Sequence, residues 1–192
     1  VVRPSVRIVI HNAARVWGGN EKWVLLLAAG LRDRGHDVVI SCRPDSIVER
    51  RCRDANLTTT SHRPGSYLDV VRALDFALFL RRRRVDTVLL TSHKGMFAGA
   101  RAARLAGVRR VVARIGILTV PQSRRHAMPF RRWIDAVIVN AHWASEIVGE
   151  YLTEPSTGQE KVAKRLAREP AITALVGQGP HIAQPIETIE KR

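Results

Sequence analysis

Apolar positions along this chain fall into two rhythms that take turns. Val6-Arg7-Ile8-Val9-Ile10 is a short β-branched run of the kind that forms a strand. After Gly18-Gly19-Asn20-Glu21 the rhythm changes. Val24, Leu27, Ala28 and Leu31 recur at helical spacing up to Gly35, a residue suited to the left-handed turn that ends a helix. Val38 to Ser41 predicts a second strand, apolar on both faces, as in a parallel sheet covered by helices. A short helix over 47–55 and a weak strand over 57–60 follow. Ser66 is the expected N-cap of a long helix through Arg84, with Leu68, Val71, Leu74 and Leu78 on one stripe. The pattern continues with a strand at 85–90, an Ala-rich helix at 97–106 closed by Gly107, and a strand at 111–115. An irregular loop over 116–130, a strand at 136–139 and a helix at 142–150 complete this part. Strands alternating with helices predict βαβ units, hence an α/β fold with a doubly wound parallel sheet.

Beyond Gly149 the polar stretch Thr153-Glu154-Pro155-Ser156-Thr157-Gly158 reads as a linker. A fresh pattern comes after it: a helix at 160–168, a strand at 172–176 and a helix at 182–190, too small to stand alone. The expected organisation is a domain over 1–149, a linker over 150–159 and part of a second α/β domain over 160–192. Charge marks the same boundary. The chain holds 27 Arg and 5 Lys against 17 Asp and Glu, a formal charge of +15. Residues 1–148 carry 26 basic and 11 acidic side chains, whereas 149–192 carry six of each.

The basic excess is clustered at Arg50, Arg51 and Arg53, at Arg81 to Arg84, at Arg109 and Arg110, and at Arg124, Arg125, Arg131 and Arg132. Such clusters form either a solvated face or a surface for something anionic: a membrane, a nucleic acid or a phosphorylated substrate. With 45% hydrophobic residues the chain is no disordered polybasic tail. Cys42 and Cys52 are too few for a disulfide framework, so a reducing compartment is the default. No apolar run approaches the roughly 18–20 residues of a membrane span, and the N-terminus reaches a strand without a signal-peptide pattern.

In open α/β sheets, ligands bind beyond the carboxyl ends of the strands. Those ends carry His11 and Asn12, then His93-Lys94-Gly95, then Arg114 and Gly116, then Asn140. Gly18-Gly19, between the first strand and first helix, lets backbone N–H groups approach an anion or a sugar. It is neither a dinucleotide fingerprint nor a Walker-type loop. His93, read as ending a strand, either orients or protonates a ligand oxygen or bonds to backbone. Arg114, at the end of an apolar strand, meets either a phosphate or carboxylate, or a nearby Asp. His36 is expected to help the turn into the second strand. His-x-x-x-His, Cys-x-x-Cys and Asp-x-Asp are missing, so no metal site is expected.

Three stretches together resemble the N-terminal domain of a GT-B glycosyltransferase of family 4. They are Val6 to Glu21; Leu31-Arg32-Asp33-Arg34-Gly35-His36-Asp37-Val38, similar to the family's Leu-x-x-x-Gly-His-Asp/Glu-Val join; and Ile134-Asp135-Ala136-Val137-Ile138-Val139-Asn140. Ala174-Leu175-Val176-Gly177-Gln178-Gly179-Pro180 resembles a strand and turn of the family's C-terminal domain. The intervening Pro-Asn-Gly segment, the Gly-Arg-x-x-x-x-Lys-Gly loop and the later Glu-x7-Glu region have no counterpart, so the second domain is expected to be incomplete. Gly116 stands near where many members place a His.

The resemblance implies a Rossmann-like domain and transfer of a sugar from a nucleotide-sugar to a hydroxyl acceptor. The acceptor would be a glycan or lipid-linked, and transfer would proceed with retention, with no metal or other cofactor. It implies His93 as the catalytic candidate and Gly18, Gly19, Asn20, Glu21, Lys94 and Arg114 as substrate-binding residues, with Gly177 and Gly179 on the donor side. It also implies a cytoplasmic enzyme, peripheral at the inner face of an anionic membrane. Two other readings stand beside it. One is a basic nucleic-acid-binding α/β module, which the 5% aromatic content and missing binding motifs disfavour. The other is a non-catalytic remnant or partner subunit.

Overall fold

The computed structural model describes residues 5–66, 68–115, 132–139 and 173–176. The chain divides into two compact units, Val1–Val112 and Ala113–Arg192. In the first unit β1 (Arg7–His11), α1 (Gly19–Asp33), β2 (Asp37–Ser41), α2 (Ile47–Asp54), β3 (Thr58–Thr60), α3 (Val70–Arg82), β4 (Thr87–Leu90) and α4 (His93–Leu105) follow in turn. Its strands are all parallel, in the order β3-β2-β1-β4. The chain therefore moves outward from β1 to β3 and then crosses back to β4. Right-handed crossovers then put α1 and α2 on one face and α3 and α4 on the other. This is the doubly wound α/β sheet that the alternating rhythms predict. β5 (Arg110–Ile115) spans the boundary between the units and starts where the Arg110 N–H donates to the Asp86 carbonyl at 3.1 Å. In the second unit, β6 (Ala136–Val139) and β7 (Thr173–Val176) pair in parallel.

The core of the first unit is built from two-sided strands. Val9, Ile10, Val39, Ile40, Val88 and Leu90 are buried, and β2 is covered from Val38 to Ser41. Val24 and Ala28 of α1 and Phe76, Ala77 and Leu80 of α3 close over them. Cys42 and Cys52 are free thiols in this core. Burial pushes them up to about 12 and about 11, so both are protonated packing groups, not nucleophiles.

Three expectations from the sequence need correction. The long helix starts at Val70, not after Ser66: Asp69 is its N-cap, accepting from the Arg72 N–H at 3.1 Å. Its stripe of Leu68, Val71, Leu74 and Leu78 faces solvent, because Phe76, Ala77 and Leu80 form a second apolar stripe and that one meets the sheet. The Ala-rich helix begins at His93, not Phe97, so His93 opens a helix and does not end β4. The segments expected at 116–130, 142–150, 160–168 and 182–190 lie outside the described residues.

Candidate functional site

At the carboxyl edge of the first unit, the β1–α1 connection is tied down by its own polar side chains. Asn12, fully buried one residue past β1, donates from Nδ2 to Glu21 Oε1 at 3.1 Å and accepts the Ala14 N–H at 2.9 Å. Asn20 Nδ2 donates to the same carboxylate oxygen at 2.9 Å. Glu21 is itself buried in the first turn of α1, so the loop and the helix start are one hydrogen-bonded body. Gly18 is the N-cap and contributes no side-chain cap. A Cβ there would lie 3.3 Å from Glu21 Oε2, whereas a Cβ on Gly19 would meet nothing within 4 Å. Gly18 is thus packed by its own loop. At Gly19 the fold itself makes no demand for glycine.

The β4–α4 junction abuts this loop. Ser92 stands at the N-cap of α4, but its Oγ accepts from the Ala13 N–H at 2.8 Å and makes no bond to the helix. Thr91 Oγ1 donates to the His11 carbonyl at 2.9 Å, and Arg43, just past β2, donates from Nε to the Ala13 carbonyl at 2.8 Å. The ends of β1, β2 and β4 therefore converge on Asn12 to Ala14.

His11 lies beneath them, fully buried. Ser41 Oγ donates its only proton to the His62 carbonyl at 2.6 Å, so the 3.0 Å contact with His11 Nδ1 needs the proton on the imidazole. Nε2 then faces α4, where a Cβ on Gly95 would come within 2.6 Å of it. Burial lowers His11 to about 4, with Arg63 and Arg43 adding to that effect against an opposing Ser41 backbone hydrogen bond, so the ring is neutral near pH 7.

The structure brings Gly18, Gly19, Asn20 and Glu21 together with Asn12. His93 and Lys94 are the first two residues of α4, next to Ser92; their side chains lie outside the described residues. Arg114 belongs to the second unit, where it is buried in β5. Gly116, Asn140, Gly177 and Gly179 fall outside the described residues. His36 caps the other end of the sheet: its Nδ1 accepts from the Val6 N–H at 3.3 Å.

A family model described as "Glycosyl transferase 4-like domain" matches residues 18–154. The chain belongs to this family. Similar folds occur in a glycosyltransferase from Rickettsia africae, with a TM-score of 0.66 at 15% identity over 91% of this chain. Anabaena HepE, solved with UDP and glucose, gives 0.62 at 14% over 90%. The lipopolysaccharide outer core galactosyltransferase WaaB gives 0.55 at 12% over 75%. At these identities the likeness is one of fold. This chain spans 42–44% of the length of those three proteins. No curated protein matches it in sequence.

In this glycosyl transferase 4-like chain, three residues at the edge carry no sequence signal of their own. Ser92, Arg43 and Arg63 stand singly beyond strand ends, outside the runs of arginine that dominate the sequence. The edge offers a glycine open to approach, the amino end of a 15-residue helix and a rigid carboxamide–carboxylate clamp. Such an end favours anions and the oxygens of sugars. Among the described residues no three His, Cys, Asp or Glu side chains converge as metal ligands.

Proposed function

We propose that these residues are the acceptor-side half of a glycosyltransferase. It moves a sugar from a nucleotide-sugar to a hydroxyl on a glycan or lipid-linked acceptor, with retention of configuration and without an obligatory metal. The observation that carries this reading is Gly19. Its Cβ position is open, and its backbone is not left-handed, so the lack of a side chain serves something that approaches from outside. The amino end of α1 would stabilise charge developing on the departing phosphate. The Asn12–Glu21–Asn20 clamp would hold that end in place. His93, in the first turn of α4 beside the same loop, is assigned the acceptor hydroxyl, with Lys94 and Arg114 as further acceptor contacts. Gly177 and Gly179 are assigned to the donor. HepE with bound UDP and glucose supports a nucleotide-sugar of this type.

The test is donor turnover by protein from the complete reading frame, offered UDP-, ADP- and GDP-sugars. Gly19→Ala should lower turnover by about tenfold, equivalent to about 1.4 kcal/mol in the barrier, at unchanged melting temperature. Full turnover in that variant, or none with any donor in the parent, would sink the reading.

A second inference concerns where the enzyme works. The outward stripe of α3 (Val70, Val71, Leu74 and Leu78) runs directly into Arg81 and Arg82 on the same side of the helix. An exposed apolar stripe continued by cations suits an anionic bilayer surface. Among the described residues no helix is long and apolar enough to cross a membrane.

A further inference from the structure

The carboxyl edge holds an arginine cluster that sequence runs conceal. Arg43 and Arg63 follow neighbouring strands, and two hydrogen bonds lock their loops side by side. The Cys42 N–H donates to the Thr60 carbonyl at 3.0 Å, and Ser41 Oγ to the His62 carbonyl at 2.6 Å. Each arginine is the next residue along from one of those bonded positions. Arg43 is fixed further by its bond to the Ala13 carbonyl. Arg63 is steered by Pro64, whose Cγ would lie 3.2 Å from a Cβ on Gly95 or on Gly99, so the β3–α3 loop folds onto the start of α4. Arg72, in the first turn of α3, completes the group, paired to Asp69 at 3.3 Å.

Arg63 thus stands within electrostatic reach of Arg43, Arg72 and Asp69, while Arg43 is bonded to the Asn12 to Ala14 loop and both Arg43 and Arg63 act on the neutral His11. Such proximity of like charges has a cost. Burial, then the like charges of Arg43 and Arg72, hold the Arg63 guanidinium below its ordinary range, while Asp69 opposes this. A fold that tolerates like charges pressed together at its ligand-binding edge has them ready for an anion. Guanidinium forks match the tetrahedral oxygens of phosphate, which accept two parallel N–H bonds from each fork.

We propose that Arg43, Arg63 and Arg72 form a phosphoryl-binding site that takes the phosphate or diphosphate group of a substrate beside the β1–α1 loop. Only the identity of that substrate rests on the glycosyltransferase reading. The probe is inorganic pyrophosphate, titrated calorimetrically into the full chain at low salt, with chloride of matched ionic strength as the control. Pyrophosphate should bind, Arg63→Gln should weaken it by about tenfold or more, and Arg63→Lys should fall between, as loss of a charge-assisted fork implies. Arg82→Gln, on the outward side of α3, should change binding less than about twofold. Without ligand, Arg63→Gln should melt no lower than the parent, because it removes a repelled cation. Absence of pyrophosphate binding overturns the proposal, as does equal weakening by Arg63→Gln and Arg82→Gln. Competition by UDP assigns the phosphoryl group to the donor; competition by glycerol 1-phosphate alone assigns it to a phosphorylated acceptor. Binding is read without sugar transfer, so failure of this site and failure of the transferase reading are distinguishable.

Discussion

At the end of β1 the His11 ring is walled in by Ser41, by Phe76 at 6.1 Å between ring centroids and by the backbone of Gly95. No larger residue fits at 95 without displacing the imidazole, which explains a glycine within the first turn of a helix. The same enclosure makes stability depend on pH. His11 titrates near 6.5 when unfolded and at about 4 when folded, so between those values the unfolded chain binds more protons. Stability is therefore fully present above pH 6.5 and declines as pH falls toward 4, by roughly 3 kcal/mol in total. Urea unfolding at pH 7.5, 6, 5 and 4 should show this decline. His11→Gln, although less stable at pH 7.5, should flatten the slope across that window. A slope unchanged in the variant would assign the acid sensitivity to other groups. Nothing in the sequence around His11 foretells this. The residue stands at a strand end, where exposed ligands and buried packing groups look alike, and only the Ser41 and Gly95 contacts decide.

At the scale of elements, all four helices of the first unit end in the same way. In each, two reversed hydrogen bonds close the last turn around a residue of positive φ: Gly35 after α1, Asn56 after α2, Arg84 after α3 and Gly107 after α4. The next residue is His36, Leu57, Val85 or Val108, and the last three are buried as the chain enters the following strand. This repeated join gives the sheet its regular parallel register. Gly35 and Gly107 are legible in the sequence because glycine accepts left-handed backbone without a steric penalty. Asn56 and Arg84 are not, since tertiary packing imposes the turn on residues that rarely choose it. Arg84, at φ 51°, pays for that with a strained Cβ. Arg84→Gly should raise the unfolding free energy by about 1 kcal/mol in urea, whereas Gly35→Ala should lower it by a similar amount. The outward stripe of α3 has a different origin. Its sequence carries two apolar stripes, and periodicity alone cannot say which one the sheet selects; Phe76 settles it by filling the space beside His11. The start of α4 is hard to read in the sequence because His93-Lys94-Gly95, with a glycine in the first turn, breaks the apolar spacing behind the Ser92 N-cap.

Across the whole molecule, the basic residues that the structure describes fall into places with different chemistry. Because each helix runs back against its strand, Arg81 to Arg84 end α3 and Arg109 and Arg110 begin β5 at the amino edge, away from the Gly18–Glu21 loop. Arg43, Arg63 and Arg72 bring charge to the carboxyl edge beside that loop. The amino-edge cations belong with the outward face of α3, where Val71 is 79% exposed, Leu74 51% and Leu78 52%. An isolated surface leucine is ordinary, but four apolar residues on consecutive turns, leading into arginines, form an amphipathic face. Each arginine near an anionic surface is worth about 1 kcal/mol, and half-exposed leucines entering the bilayer add about 1 kcal/mol apiece. The full chain should therefore co-sediment with phosphatidylglycerol vesicles and only weakly with phosphatidylcholine vesicles. Leu74→Gln combined with Leu78→Gln should reduce that partition on the order of tenfold, while leaving the melting temperature nearly unchanged, because neither side chain packs in the core. Arg81→Gln with Arg82→Gln should reduce it too, but mainly at low salt, since screening already weakens their contribution at high ionic strength. Equal binding to both vesicle types, or full binding by the leucine variant, would detach the α3 face from the membrane and leave its apolar stripe to a protein partner.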